Sequence, residues 1–168
     1  MKKFLWGIVL AVSMLLMAGV ALAADKFPDF MADTLEGQDA SQELFAGKKL
    51  TMINFWGTYC PPCIAEMPDL GRLGRSMPEG TQLIGIVIDV GSNKQKLEKA
   101  RDILKKADAD FLNLILSPEM TAYADTLVGV PTTIFVDGEG NIVGKPLVGS
   151  RSEKDYRKEL EKALKLLK

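Results

Sequence analysis

Leu50-Thr51-Met52-Ile53-Asn54-Phe55-Trp56, followed three residues later by Cys60-Pro61-Pro62-Cys63, is the stretch that decides the fold. The apolar run reads as a strand buried on both faces. Pro61 and Pro62 suit the first turn of a helix, where their missing N–H groups would have no intrahelical partner anyway. That helix is expected from about 61 to 75, with a kink at Pro68. Cys60 and Cys63 are the only cysteines among 168 residues. Two thiols at this spacing can form and break a disulfide with each other, which is the basis of thiol–disulfide exchange. The alternative, a structural staple, is weak here. A four-residue loop gives about 2 kcal/mol in chain-entropy terms, and a staple joins distant parts of a chain.

Outward from this stretch, strand-like and helix-like segments alternate. Residues 83–88 are a continuous apolar run of strand length. Asn93 can cap a helix to about 107 with Leu97, Ala100, Ile103, Leu104 and Ala107 on one face and a solvated charged face opposite. Residues 111–116 read as a strand and 118–126 as a short helix. Residues 132–136 form a strand, Asp137-Gly138-Glu139-Gly140-Asn141 a turn, and Ile142-Val143 and Leu147-Val148 continue as strand. Ser152, with Asp155 three residues on, opens a last helix that buries Tyr156, Leu160, Ala163, Leu164 and Leu167. Upstream, residues 27–30 and 33–38 read as short extended pieces around a turn. This order predicts one α/β domain of three layers, with a sheet mixing parallel and antiparallel strands.

Lys2 and Lys3 precede an apolar run from 4 to about 20 that ends in Ala21-Leu22-Ala23-Ala24. A basic start, an apolar stretch and an A-x-A pattern describe a signal segment over 1–24, cleaved after Ala23 or Ala24. The rival reading is an uncleaved anchor, because about 20 apolar residues span a bilayer. No cysteine directly follows the run, so a lipid-modified N-terminal cysteine is excluded. The expected location is periplasmic or otherwise extracytoplasmic, with membrane contact only where the segment is retained. The remainder, 25–168, is enough for one domain with its own core. Without Lys2 and Lys3 the net charge moves from −1 to about −3 and no basic patch stands out, so nucleic acid is not an expected partner. The chain has no histidine. That removes His-containing zinc sites, His-ligated haem and any Ser-His or Cys-His pair. Ile64 stands where attachment of c-type haem needs histidine. No cofactor and no metal site are expected.

Chemistry then rests on the dithiol. Cys60 should lie just before a helix N-terminus, where backbone N–H groups and the helix dipole favour a thiolate. Cys60 would attack a substrate disulfide, and Cys63, one turn inside, would resolve the mixed disulfide. Glu66 falls on the same helical face as Cys63. It is either a buried carboxylate that takes the Cys63 proton or an ordinary exposed glutamate. Pro131, in Val130-Pro131-Thr132-Thr133, either marks the start of a strand or forms a cis peptide bond. Trp56, Tyr59 and Val130 are apolar residues near the dithiol and suggest a docking surface.

Residues 55–63, Glu66-Met67-Pro68, Gly129-Val130-Pro131-Thr132-Thr133 with Asp137 and Gly140, and Phe27-Pro28-Asp29-Phe30 carry a resemblance. Together they resemble the thioredoxin superfamily and, within it, the TlpA/ResA-like extracytoplasmic thiol–disulfide oxidoreductases, over roughly 27–167. The resemblance implies a thioredoxin-like α/β/α sandwich with a mixed sheet, an N-terminal β-hairpin and a central α-β insertion over about 93–116. It implies a cis Pro131 lying against the disulfide, a Val130 backbone that bonds an extended substrate, and a buried Glu66 that tunes the cysteines. Cytoplasmic thioredoxins carry aspartate where this chain has Asn54, so the proton acceptor cannot come from that position. Pro61-Pro62 and Tyr59 also depart from the usual residues.

The function implied is reduction of disulfides in client proteins, cytochrome c maturation being the family's best-known use. Electrons would come from a membrane thiol transporter of the DsbD/CcdA type. Disulfide oxidase or isomerase activity and thiol-based copper handling are the alternatives. A peroxiredoxin is disfavoured, because Gly57 and Ile53 occupy the positions of its threonine and proline.

Overall fold

The computed structural model describes residues 26–167. The chain runs through a hairpin of β1 (Met31–Asp33) and β2 (Asp39–Ser41), a 3-10 turn (Gln42–Phe45), β3 (Leu50–Trp56) and α1 (Pro61–Gly74). It continues through β4 (Thr81–Val87), α2 (Lys94–Lys106), β5 (Leu112–Ile115), α3 (Pro118–Ala124), β6 (Thr132–Val136), β7 (Leu147–Val148) and α4 (Glu153–Leu166). The main sheet has the order β5-β4-β3-β6-β7, with β3 at its centre. β3 pairs parallel with β4 and antiparallel with β6. The sheet is therefore mixed, as the alternation of elements implied.

Every residue of β3 is buried, and the period-two pleat explains how. Leu50, Met52 and Trp56 join one core with Leu83 and Val87 of β4. That core is completed by Met67, Leu70 and Leu73 of α1, Ala100 and Leu104 of α2, and Tyr156 and Leu160 of α4. Ile53 and Phe55 point the other way and pack with Ile84, Ile86, Leu114 and Ile134.

This second face is covered differently from the first. α3 contributes Met120, and the rest is an aromatic cluster from the N-terminal segment and the 3-10 turn. Phe27 stands edge-on to Phe30, Phe45 and Tyr123, with ring centroids 6.0, 6.1 and 5.2 Å away. The N-terminal Phe27-Pro28-Asp29-Phe30 thus acts as a cover for the sheet. Its hold on the last turn is a backbone bond from Phe27 N–H to Gly140 C=O at 2.9 Å.

One of the two late extended segments expected from sequence, Leu147-Val148, forms β7 as read, while the other, Ile142-Val143, does not form a strand. Ile142 makes only an isolated bridge to Val136. Gly144, at φ +78°, turns the chain between the two segments, and Pro146 brings no N–H to the ladder. Leu167, expected on the buried face of the last helix, is exposed. The candidate signal segment, 1–24, lies outside the described residues. Among the described residues no helix is long and apolar enough to cross a membrane.

Gly85 in β4 permits the closest approach in the sheet. A Cβ there would collide with Asn113 Oδ1, an atom already fixed by a 2.9 Å bond from Trp56 Nε1. Asn113 cannot swing away, because its Nδ2 donates to Phe111 C=O at 2.9 Å. Gly85→Ala is expected to destabilise the fold by about 3 kcal/mol, read as a lower midpoint of guanidinium unfolding.

Candidate active site

β3 ends at Trp56, and a tight turn carries the chain to α1. The turn closes with a 3.1 Å bond from Cys60 N–H to Gly57 C=O. Cys60 is the N-cap of α1 in an extended conformation, and its side chain faces the helix terminus. Pro61 and Pro62 occupy the first two helical positions and bring no N–H groups. The first amide that α1 presents is therefore that of Cys63, which donates to Cys60 Sγ at 3.3 Å. The next, Ile64 N–H, is taken by Cys60 C=O at 3.1 Å. The positive helix terminus thus acts on the sulfur through a single amide.

Cys60 and Cys63 are joined as a disulfide. Cys60 is 5% exposed and Cys63 wholly enclosed, so attack from outside meets Cys60 first. The Val130–Pro131 bond is cis, and Val130 C=O lies 3.5 Å from Cys60 Sγ. Pro131 C=O accepts from Gly149 N–H at 2.8 Å, which fastens this loop to the chain leading out of β7. Cys60, Cys63, Val130 and Pro131 are therefore brought together from distant parts of the sequence.

The expected docking residues separate. Tyr59 is 60% exposed beside Cys60. Its ring folds over Gly57 so closely that a Cβ there would come within 2.8 Å of the Tyr59 ring carbon Cε1. Val130 is half-buried. Trp56 corrects the expectation. It is fully buried and bonded to Asn113, so its ring holds β3 to β5 and cannot meet a client. Its position on a strand with both faces covered is the cause.

Glu66 lies one helical turn beyond Cys63 and is buried, 3% exposed. Its Oε1 accepts from Asn54 Nδ2 at 3.0 Å. Its Oε2 accepts from Tyr156 Oη at 2.8 Å and from Arg151 N–H at 3.0 Å. Asn54 Nδ2 also donates to Thr133 Oγ1 at 3.0 Å, leaving the buried Asn54 Oδ1 unpaired. Burial pushes the Glu66 carboxyl above the usual range, and the hydrogen bonds from Tyr156, Arg151 and Asn54 pull it part of the way back. Burial, and then the nearby Glu66 charge, push the Tyr156 phenol far above its usual range, so it stays a donor.

Tyr156, Asn54, Thr133 and the Arg151 amide are the partners that sequence reasoning did not assign. Tyr156 sits on the apolar stripe of α4, where a tyrosine reads as core. The only signal was Asn54 in place of aspartate, which marks the carboxylate as having to come from elsewhere. Among the described residues no group of three or more Cys, His, Asp or Glu side chains is placed to hold a metal ion.

A raised carboxyl pKa means that the folded state binds this proton more tightly than the unfolded chain. Stability from this group is then complete below the unfolded value, near 4.5, and is lost as pH rises through the folded value. In the oxidised protein, the unfolding free energy of wild type relative to Glu66→Gln is expected to fall as pH rises from about 4.5 toward 7. Tyr156→Phe removes one donor from the carboxylate, raises the folded value further and should extend this fall to higher pH from the same onset. Denaturant unfolding at a series of pH values checks both.

The comparisons with known proteins agree with this geometry. Residues 22–164 match the Redoxin family. The thiol-disulfide oxidoreductase ResA of Geobacillus thermodenitrificans is 30% identical over 135 residues, which is 80% of this chain and 74% of that protein. The thiol:disulfide interchange protein DsbE of Haemophilus influenzae is 28% identical over 133 residues, covering 78% of this chain and 68% of its own length. A solved thioredoxin-family thiol:disulfide interchange protein from Chlorobium tepidum superposes with a TM-score of 0.69 at 26% identity, over 84% of this chain and 97% of that one. With its Cys60–Cys63 pair at the N-terminus of α1 in a thioredoxin-like fold, the chain belongs to the Redoxin family and is a thiol–disulfide oxidoreductase of the ResA kind.

Proposed function

We propose that this oxidoreductase works outside the cytoplasm as a reductant of client disulfides, with Cys60 as attacking thiol and Cys63 as resolving thiol. The observation that carries the direction is the single amide donated to Cys60 Sγ. Stabilising the thiolate favours the reduced protein and makes a dithiol an oxidant. Pro61 and Pro62 withhold two of the amides that would do so, which tilts the pair toward the disulfide and hence toward giving electrons away.

In the forward direction the Cys60 thiolate attacks one sulfur of the client disulfide, and the other client sulfur leaves as a thiolate. Glu66, as carboxylate, takes the Cys63 proton. Cys63 then attacks Cys60 Sγ, the Cys60–Cys63 disulfide forms, and the client leaves with both sulfurs reduced. Tyr59, the Val130 backbone and Pro131 would seat the client chain against Cys60.

Each turnover leaves this protein oxidised by two electrons, so a donor is required. The family points to a membrane thiol transporter of the DsbD/CcdA type, and to apocytochrome c with its CxxCH site as a client. The basic and apolar segment 1–24 supports export, by cleavage or as an anchor.

Cys63→Ser blocks resolution and is expected to accumulate clients as mixed disulfides on Cys60, visible as reductant-sensitive adducts in non-reducing gels of cells making the variant. Absence of any adduct would count against client reduction. The Cys60–Cys63 pair should equilibrate with defined thiol–disulfide buffers at about −250 mV or below. A value near −120 to −180 mV, on the oxidase and isomerase side of the scale, would reverse the direction.

A further inference from the structure

We infer that Asp89 is a positioning residue for Cys60. Its carboxylate clamps the turn that presents the attacking sulfur, and it links that turn to the first turn of α2. The clamp rests on two bonds to one residue. Asp89 Oδ1 accepts from Thr58 N–H at 2.9 Å, and Asp89 Oδ2 accepts from Thr58 Oγ1 at 2.8 Å. Thr58 is buried, so both of its donors would lose their partner if the carboxylate were removed.

The sheet places the two residues side by side. Ile88 N–H donates to Trp56 C=O at 2.9 Å, which carries the β3–β4 pairing one step past the end of β4. Asp89 and Thr58 are the next residues along each chain to meet. Thr58 is a central residue of the turn that the Cys60 amide closes on Gly57. Fixing Thr58 therefore fixes both the path into the α1 N-cap and the pose of Tyr59. Because, among the described residues, only the Cys63 amide donates to Cys60 Sγ, a small displacement of Cys60 has no second donor there to fall back on.

On its other side Asp89 faces Lys96, whose Nζ lies 3.6 Å from Oδ2, with the carboxylate side chain only 10% exposed. Lys96 belongs to the first turn of α2, whose N-cap, Asn93, is itself held by a 2.9 Å bond from Asn93 N–H to Val90 C=O. The segment inserted between β4 and β5 thus reaches the catalytic turn through Lys96, Asp89 and Thr58.

Charge and positioning pull in opposite directions, which makes the claim testable. A carboxylate near Cys60 opposes a thiolate, so removing the charge alone should favour attack. Removing the clamp should hinder it. The probe is the rate of alkylation of Cys60 by iodoacetamide in the Cys63→Ser background, where Cys60 is the sole thiol. The second readout is the rate at which the reduced dithiol protein is oxidised by oxidised glutathione.

Asp89→Ala is expected to slow both by about tenfold, the loss of hydrogen bonds to a charged group. Asp89→Asn keeps an acceptor for Thr58 N–H and a polar partner for its hydroxyl, and is expected to rescue the rate. Should Asp89→Ala not fold, the Thr58 pair decides: Thr58→Val loses about threefold, while Thr58→Ser restores the rate. Asp89→Ala within about twofold of wild type, or Asp89→Asn as slow as Asp89→Ala, overturns the clamp. The inference rests on Cys60 as the attacking thiol. Reduced wild type that fails to react with oxidised glutathione, while alkylation follows the expected order, would sink that reading and leave the clamp standing.

Discussion

Everything at the catalytic end depends on a strand that has no free face. β3 is covered by α1, α2 and α4 on one side and by α3 with the N-terminal aromatics on the other. A strand so enclosed cannot slip in register without exposing an apolar row to water or driving polar groups into the core. Its alternation therefore places Asn54 on the helical side, under Glu66, and Trp56 against Asn113. Its end delivers the chain to the turn before Cys60 at a fixed height above α1. The site is accurate because the strand beneath it has one admissible position.

Within that frame the chemistry is a balance of burial against hydrogen bonds. Glu66 in an apolar interior without partners would be neutral at all ordinary pH. Three donors pull its pKa part of the way back down, though burial still holds it above the usual carboxyl range. Cys60 is balanced the other way. A helix N-terminus would strongly favour its thiolate, and two prolines limit that effect to one amide.

Much of this was legible in the sequence, for physical reasons. The limits of β3 were readable because a seven-residue segment with five apolar residues stops at a turn and two prolines. Asn93 and Ser152 were readable as caps because a short polar side chain ahead of an amphipathic segment has one obvious use; each accepts a backbone N–H three residues on. Cys60 and Cys63 were found by spacing; the helical offset of Glu66 from Cys63 left it either buried or exposed, and the family resemblance implied the burial that is seen. What failed to show was whatever depends on which buried group faces which. Trp56 looked like a docking residue because an aromatic beside a cysteine reads the same whether it points out or in. Tyr156 and Asp89 lie 90 and 31 residues away from the groups that they hold, Glu66 and Thr58. No local periodicity records such a pairing.

The order of Glu66's partners along the chain has a consequence for biogenesis. The dithiol and its carboxylate are made early, but Thr133, Arg151 and Tyr156 lie near the C-terminus. A nascent chain carries Cys60 and Cys63 well before the network around Glu66 is complete. α4 supplies the last donor, Tyr156 Oη, and buries it with Leu160 and Ala163 in the core. A chain truncated before residue 151 would therefore keep both thiols while lacking the Arg151 and Tyr156 donors that hold the Glu66 carboxylate.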